Sequence, residues 1–467
     1  MADTPTPAFS VRARVRMDNK PAMLGHLATA IGEAGANIVG LEGFEVKTEY
    51  LDEDLIINCT SVDHQEQVRR AIEAVDGAAI LEWEDRTFKM HEGGKIEVLP
   101  LAPVADADDL SMAYTPGVAR VCMEIARDPE RSHELTIRKN TVAIVSDGTA
   151  VLGLGDIGPY AAMPVMEGPA LLFKHFAGVD AFPICVNTSS VDEIVDLVKK
   201  IAPTFGGINL EDIAAPGAFE VEERLDKALD IPVFHDDQHG TAIVVLAALE
   251  NALRIVDKRH TDIKVVVAGV GAAGVAVSKI MMDAGVVNIV GVDRQGAVYD
   301  GREGLNDSKQ WFAENTNPDR LQGTISEVIA GADVFVGLSG PDLLTVDDVK
   351  SMASGPIVFA MANPDPEIRP ELIQDIAAVI ATGRSDFPNQ INNVLAFPGV
   401  FRGAFDAGAK RITENMKVAA ARAIAGVVGD RVRPDFIIPS VFDTSVVDAV
   451  AKACFDAARA DGVCRNQ

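Results

Sequence analysis

The chain has 467 residues, 48% of them hydrophobic, with 42 Lys and Arg against 69 Asp and Glu, a formal charge of −27. That length and apolar content require roughly two to four domains with sizeable cores and exclude a disordered acidic chain. The charge excludes nucleic acid and anionic membrane surfaces as partners, because both reward clustered Lys and Arg; an anionic ligand has to be held by local positive groups, backbone dipoles or a metal. Five scattered cysteines, Cys59, Cys122, Cys185, Cys454 and Cys464, show no CxxC or Cys/His spacing. Reduced thiols and a cytoplasmic location are expected, and structural zinc is not. The N-terminus lacks a basic, apolar leader pattern, so no signal peptide is expected. The longest apolar run, 265–277, holds three glycines and is too short to span a bilayer.

Residues 9–17 alternate as a strand, 21–35 carry Met23, Leu24, Leu27 and Ile31 at helical spacing, and 37–48 and 55–62 are strand-like. A helix at 64–75 and a strand at 78–83 complete a βαββαβ order, the ferredoxin-like arrangement. This segment carries 9 basic and 16 acidic side chains over residues 1–90, so the acidity is general rather than confined to a tail. Residues 91–255 read as mixed α/β. Strands at 264–268, 288–292, 334–338 and 357–360, alternating with helices, predict a doubly wound parallel sheet. Residues 400–467 are mostly helical.

A G-x-G-x-x-G, Gly269-Val270-Gly271-Ala272-Ala273-Gly274, follows the β-branched run 264–268 and opens an amphipathic helix. The first glycine permits the turn, the second lets backbone approach a pyrophosphate, and the third allows close helix packing; the helix N-terminus attracts the anion without a lysine. Asp293, 19 residues after Gly274 at the end of the next strand, suits an adenosine ribose and favours NAD, while the adjacent Arg294 keeps NADP open.

Two acid pairs follow strand-like segments: Glu211-Asp212, and Asp236-Asp237 within Phe234-His235-Asp236-Asp237-Gln238-His239-Gly240-Thr241. Adjacent carboxylates repel unless a cation lies between them, and an all-oxygen set suits Mg²⁺ or Mn²⁺. Read alone, these are equally solvated acids at loop starts.

Several segments, in order, resemble the short bacterial form of malic enzyme over about residues 91–445. They are Tyr114-Thr115-Pro116-Gly117-Val118, Ser146-Asp147-Gly148, Leu152-Gly153-Leu154-Gly155-Asp156-Ile157-Gly158, Pro164-Val165-Met166-Glu167-Gly168, Asn209-Leu210-Glu211-Asp212, the 234–241 segment, Ala362-Asn363-Pro364, and Asn392-Asn393 followed by Phe397-Pro398-Gly399-Val400. The resemblance implies oxidative decarboxylation of malate to pyruvate with NAD or NADP and a divalent metal. It implies Glu211, Asp212 and Asp237 as metal ligands with Asp236 close behind, Asn363 and Asn393 on malate, Asn363 also facing the nicotinamide, and Tyr114 as general acid. It also implies a homodimer or larger homo-oligomer.

The N-terminal segment resembles an ACT domain, on Asp18-Asn19-Lys20-Pro21-Ala22-Met23-Leu24 and Gly35-Ala36-Asn37-Ile38. That implies a small-molecule effector, although Ala22 stands where the family usually has Gly; a packing or dimerisation module is the alternative. The expected organisation is an ACT-like regulatory domain at 1–90, a substrate and metal domain at 91–255, a Rossmann NAD domain at 256–445 and a C-terminal helix at 446–467.

One position departs from malic enzymes. The family's general-base lysine falls at Pro169, which cannot accept a proton. Residues 169–177 read as a helix with Pro169 at its first position, where proline is comfortable. Lys174 lies about 140° around and 7.5 Å along an α-helix from residue 169, and reads as a solvated lysine. His175 is as poorly placed, and Lys139 precedes the strand at 141–145. Two alternatives stay open: an ACT-linked amino-acid or hydroxy-acid dehydrogenase, which leaves the paired acids unexplained, and a catalytically weak or inactive relative that binds NAD and malate in a regulatory role.

Overall fold

A computed structural model describes residues 4–151, 153–363 and 365–465. The chain divides into two compact units, Met1–Glu97 and Val98–Gln467.

The first unit runs β1 (Thr6–Asp18), α1 (Met23–Glu33), β2 (Asn37–Val46), β3 (Tyr50–Cys59), α2 (Val62–Glu73), β4 (Ala78–Asp85) and α3 (Arg86–His91). Its antiparallel sheet has the order β2-β3-β1-β4, so the ferredoxin-like topology is present. Val11, Ala13, Val15 and Met17 alternate along β1 into a core shared with Leu27, Ile31, Val68 and Ile72, and Arg12, Arg14 and Arg16 take the opposite face. Strand β3 begins at Tyr50, earlier than the strand expected at 55. Its acidic start is tolerated because Arg16 grips Asp52 with two 2.8 Å hydrogen bonds and Arg12 pairs with Asp54. Ala22, just before α1, has φ 72°, in the left-handed region.

The second unit opens with short helices α4 (Ala107–Ala113), α5 (Val118–Arg127) and α6 (Ser132–Leu135), none of which buries a residue. Then come β5 (Thr141–Ser146), α7 (Gly158–Ala177), β6 (Asp180–Cys185), α8 (Val191–Ile201), β7 (Gly207–Leu210), α9 (Gly217–Ala228) and β8 (Val233–His235), giving a parallel sheet of order β6-β5-β7-β8. Parallel strands covered on both faces read as unbroken apolar runs, which is why every residue of β5 and β7 is buried.

Helix α10 (Thr241–Val256) leads to β9 (Lys264–Ala268), α11 (Ala272–Asp283), β10 (Asn288–Asp293), β11 (Gly296–Ala297), α12 (Asp307–Asn315), α13 (Ile325–Val328), β12 (Val334–Gly337), α14 (Val346–Ser351), β13 (Ile357–Ala360) and β14 (Val379–Thr382). The sheet order β11-β10-β9-β12-β13-β14, parallel except for β11, is the expected doubly wound arrangement. Helices α15 (Phe397–Ala407), α16 (Glu414–Val428) and α17 (Ser445–Ala460) close the unit. Among the described residues one helical stretch, Asp236–Val256, is long and apolar enough to cross a membrane, although the sequence showed no such run; it is two-thirds buried inside the protein as a core helix.

One expectation is corrected. Helix α7 is continuous over Gly158–Ala177, and Pro169 is an interior residue, not the first of a helix. An interior proline deletes a backbone hydrogen bond and crowds the carbonyl four residues back, at about 3 kcal/mol in an exposed helix. Tertiary packing outweighs this. Ala162, Met166, Ala170 and Phe173 form a buried stripe, and the Phe173 ring meets Phe397 and Phe401 of α15 edge-on at 4.7 and 5.3 Å.

Candidate active site

Strands β5, β7 and β8 lie side by side and parallel, so the residues after them emerge at one edge of the sheet. Glu211 and Asp212 follow β7, Asp236 and Asp237 follow β8, and Asp147 follows β5. The Ala150 N–H donates to the Asp212 carbonyl at 3.0 Å and the Ala214 N–H to Thr149 Oγ1 at 2.9 Å, tying the β5 loop to the β7 end. Asp212 itself sits at φ 54°, a strained conformation of the kind that collects at functional sites.

Each acid is engaged locally. Asn209 donates to Glu211 at 2.8 Å, the Asp212 N–H donates to Asp237 at 2.9 Å, and Asn393 Nδ2 donates to Asp236 at 3.1 Å. The Asn393 side-chain oxygen accepts from Thr241 at 3.1 Å, so Asn393 is held beside Asp236. Burial, then the neighbouring Asp236, Asp237 and Asp212, push the Glu211 carboxyl well above the usual range. Burial and Asp237 push Asp236 up to about 8, against the opposing Asn393 hydrogen bond.

Among the described residues no three His, Cys, Asp or Glu side chains already converge tightly enough to hold a metal ion. The donor set nevertheless fits one. It is all oxygen, its members destabilise one another, and Asp236 Oδ1 is buried without a hydrogen-bond partner among the described residues. Glu211, Asp212 and Asp237, with Asp236 behind them, are the residues that would hold a divalent cation.

The G-x-G-x-x-G lies between β9 and α11. Gly269 has φ 102°, and a Cβ on Gly274 would overlap the Gly269 carbonyl, so both positions demand glycine. Gly271 precedes α11, with nothing within 4 Å of where its Cβ would stand; the bare backbone fits a pyrophosphate cradle, and Ala272 and Ala273 begin the helix. Asp293 ends β10 as expected, but its carboxylate is occupied. Arg302 Nη2 lies 2.8 Å from both oxygens and Lys309 Nζ 2.7 Å from one. Burial raises this carboxyl, and Lys309, the Gln295 N–H and Arg302 outweigh it and hold it below the usual range.

Asn363 is exposed beyond β13, next to Ala362. Leu152 and Pro364 of the quoted motifs lie outside the described residues. Tyr114 follows α4, is 68% exposed, and has no described contact with the strand-end acids. Lys174 is largely exposed and pairs with Asp180 at 2.7 Å; His175 is exposed, and Lys139 lies at the opposite, N-terminal end of β5.

The sequence profile of the malic enzyme N-terminal domain matches residues 93–226, and that of the malic enzyme NAD-binding domain matches 238–458. The chain is 56% identical to an NAD-dependent malic enzyme of Geobacillus stearothermophilus over 460 residues, covering 98% of this chain and 96% of the relative. The chain belongs to the malic enzyme family. An NADP-dependent malic enzyme of Escherichia coli is 47% identical over 79% of this chain and 51% of its own length. The crystal structure of an NAD-dependent malic enzyme from Thermotoga maritima superposes with a TM-score of 0.76 at 48% identity, covering 79% of this chain and 98% of that one.

Within this malic enzyme fold the sequence reading missed two supporting side chains, Glu222 and Lys417, and one clamp, Glu367. Glu222 on α9 accepts the His235 N–H at 3.0 Å and lies 3.0 Å from His239 Nε2, and Lys417 Nζ on α16 lies against the His239 ring, 3.0 Å from Nδ1 and 3.3 Å from Nε2. Burial raises the Glu222 carboxyl, but His239 and Lys417 outweigh it and hold it at about 2. Glu367 is fully buried and accepts the Ser339 and Ala362 N–H groups at 3.1 and 3.0 Å. It thereby joins the loops after β12 and β13 beside Asn363. Lys417 pairs locally with Glu414, but its approach to His239, 178 residues away, shows only in three dimensions.

Proposed function

We propose that the chain catalyses divalent-metal-dependent oxidative decarboxylation of (S)-malate to pyruvate and CO2 with reduction of NAD or NADP, slowed by the missing lysine at 169. The observation that carries this reading is the convergence of Glu211, Asp212, Asp236 and Asp237 with Asn393 at one sheet edge of a malic enzyme chain. When bound, the cation lowers the cost of negative charge on malate's oxygens and the dinucleotide accepts the hydride from C2. Asn393 and Asn363 orient the substrate through their amide groups. The C2 hydroxyl loses its proton to solvent, because Pro169 offers no acceptor. Carbon dioxide leaves by cleavage of the C3–C4 bond, and Tyr114 supplies the proton to C3.

Further parts of this reading have their own support. The pinning of Asp293 by two cations cancels its repulsion of a 2′-phosphate, which supports use of NADP beside NAD. The residue pattern supports a division of the second unit near 255, into a substrate and metal domain and a dinucleotide domain. Leu110, Met112, Tyr114 and Met123 are exposed on α4, α5 and the turn between them, which supports a homodimer in which these helices are covered by a second copy. The ferredoxin-like topology and the left-handed Ala22 turn support an ACT-like effector module.

The test is steady-state NADH and NADPH formation from malate with Mg²⁺ or Mn²⁺, beside calorimetric binding of Mn²⁺, NAD and malate. Turnover that needs metal supports the reading, and absence of both turnover and binding refutes it. Binding without turnover favours the regulatory relative, for which Pro169 is the specific observation.

A further inference from the structure

Strands β12 and β13 are parallel neighbours in the dinucleotide sheet, with Gly337 paired to Ala360, so the loops that follow them leave the same edge. Glu367 bridges those loops from a fully buried position. One carboxylate oxygen accepts the Ser339 N–H at 3.1 Å, and the other accepts the Ala362 N–H at 3.0 Å. Gly337 makes room for the group, because a Cβ there would overlap the Glu367 carboxyl. Burial pushes this carboxyl above its usual range, and the Ala362 and Ser339 N–H groups oppose that rise. A carboxyl so deep is costly unless its oxygens are satisfied, and here the two loops satisfy them.

The first of these loops also touches the glycine turn. A Cβ on Gly269 would stand 2.6 Å from the Leu338 carbonyl oxygen and 3.1 Å from Ser339 Cβ, so the turn after β9 lies directly against Leu338 and Ser339. Strands β9 and β12 are adjacent, and the strand order proceeds outwards from them in opposite directions. That is the switch point at which a doubly wound sheet binds its ligand, and an acid at the end of β10 marks the adenosine side of it. The nicotinamide half then extends the other way, over the loops after β12 and β13. We propose that Glu367 is a positioning residue for that half of the dinucleotide: its carboxylate sets the spacing between the Leu338–Ser339 and Ala362–Asn363 backbones, against which the nicotinamide and its ribose lie. The proposal rests on the dinucleotide reading of this cleft.

The segment around Glu367 has backbone ties of its own. The Asp342 N–H donates to the Pro366 carbonyl at 3.2 Å, and the Leu344 N–H to the Glu367 carbonyl at 3.0 Å. Losing the side-chain bonds therefore leaves the segment anchored, and Glu367→Gln is expected to fold. Its amide keeps one acceptor but turns an N–H₂ group against one of the two loop N–H groups, which releases that loop. Binding of the nicotinamide half then has to draw the loop back.

The measurement is calorimetric affinity of the full chain for NAD and for ADP, which carries the adenosine and pyrophosphate without the nicotinamide half. Glu367→Gln is expected to bind NAD about tenfold more weakly, the size of one buried donor left unpaired, and ADP within about twofold of wild type. Equal losses for the two ligands would make Glu367 a general structural support and overturn the proposal, as would unchanged NAD affinity. A wild-type chain that binds neither ligand overturns the dinucleotide reading as well. If Glu367→Gln does not fold, hydrogen exchange of the wild-type chain decides: Ser339 and Ala362 amides protected before NAD is added support a preset spacing, and rapid exchange until NAD is added refutes it.

Discussion

Replacing Pro169 by lysine separates two quantities that the proline merges, helix stability and base catalysis. Residue 169 is the twelfth of the 20 in α7 and half-buried, about 60° from the centre of the stripe Ala162, Met166, Ala170 and Phe173. A side chain there lies along the flank of the helix without entering the core. A non-proline residue returns one N–H to the Val165 carbonyl and removes the ring clash, together worth about 3 kcal/mol. Proline's restriction of the unfolded chain offsets about 0.4–1 kcal/mol of this. The net expectation is a gain of about 2 kcal/mol, read by urea denaturation, for both Pro169→Lys and Pro169→Ala. Only the lysine variant should gain in rate, by about 10²–10⁴-fold in kcat for malate-dependent NADH formation. Metal-dependent oxaloacetate decarboxylation needs no base at the hydroxyl and should change much less. Equal kcat values for the lysine and alanine variants would refute the assignment of a base to this position. A stability loss in both would refute the interior placement of Pro169.

Three further outcomes follow from particular contacts. Ala22→Gly relieves a left-handed backbone at φ 72° and should stabilise the full chain by about 0.5–1 kcal/mol in denaturant; a loss would contradict the conformation. Asp293→Ser frees Arg302 and Lys309 for a 2′-phosphate, and the ratio of kcat/KM for NADP over NAD should rise on the order of tenfold, with an unchanged ratio counting against the proposed cofactor corner. Burial, then Arg465 and Arg138, lower His133 from an ordinary value of 6.5 to about 4. The unfolded chain therefore takes up this proton first, stability falls as pH drops from 6.5 to 4, and His133→Gln should flatten that part of the stability profile.

Much of the fold was legible because its signals are local. The β-branched runs of β9, β10, β12 and β13, the Gly269–Gly274 motif and the period-two alternation of β1 each report burial through residues adjacent in sequence. Asp52 and Asp54 in β3 were not legible as strand, because what makes them acceptable is an arginine ladder on β1 about 40 residues away. Pro169 was misread for a related reason. Proline argues for a helix start by local rules, whereas the phenylalanine cluster across α7 and α15 holds the helix through it. The acid pairs were visible in sequence, but which groups support them was not: Glu222, His239 and Lys417 are spread over nearly 200 residues, and only the fold makes them neighbours.

The charge of −27 is therefore resolved unevenly along the chain. In the first unit, Asp52 and Asp54 are neutralised by arginines across the sheet. At the end of β10, Asp293 is outweighed by Arg302 and Lys309. At the ends of β7 and β8 the position is reversed, because four carboxylates are crowded together and drive the Glu211 and Asp236 carboxyls above their usual range. Malate brings two more negative charges to that edge. At a separation of about 4 Å and an effective dielectric near 20, each pair that malate makes with a carboxylate still ionised costs about 4 kcal/mol. Amide donors such as Asn393, worth about 1.5–3 kcal/mol each towards a charged group, cannot offset several such pairs. Malate affinity in this chain must then be tied to cation occupancy more tightly than in a relative that also has lysine at position 169, since that lysine would supply positive charge of its own.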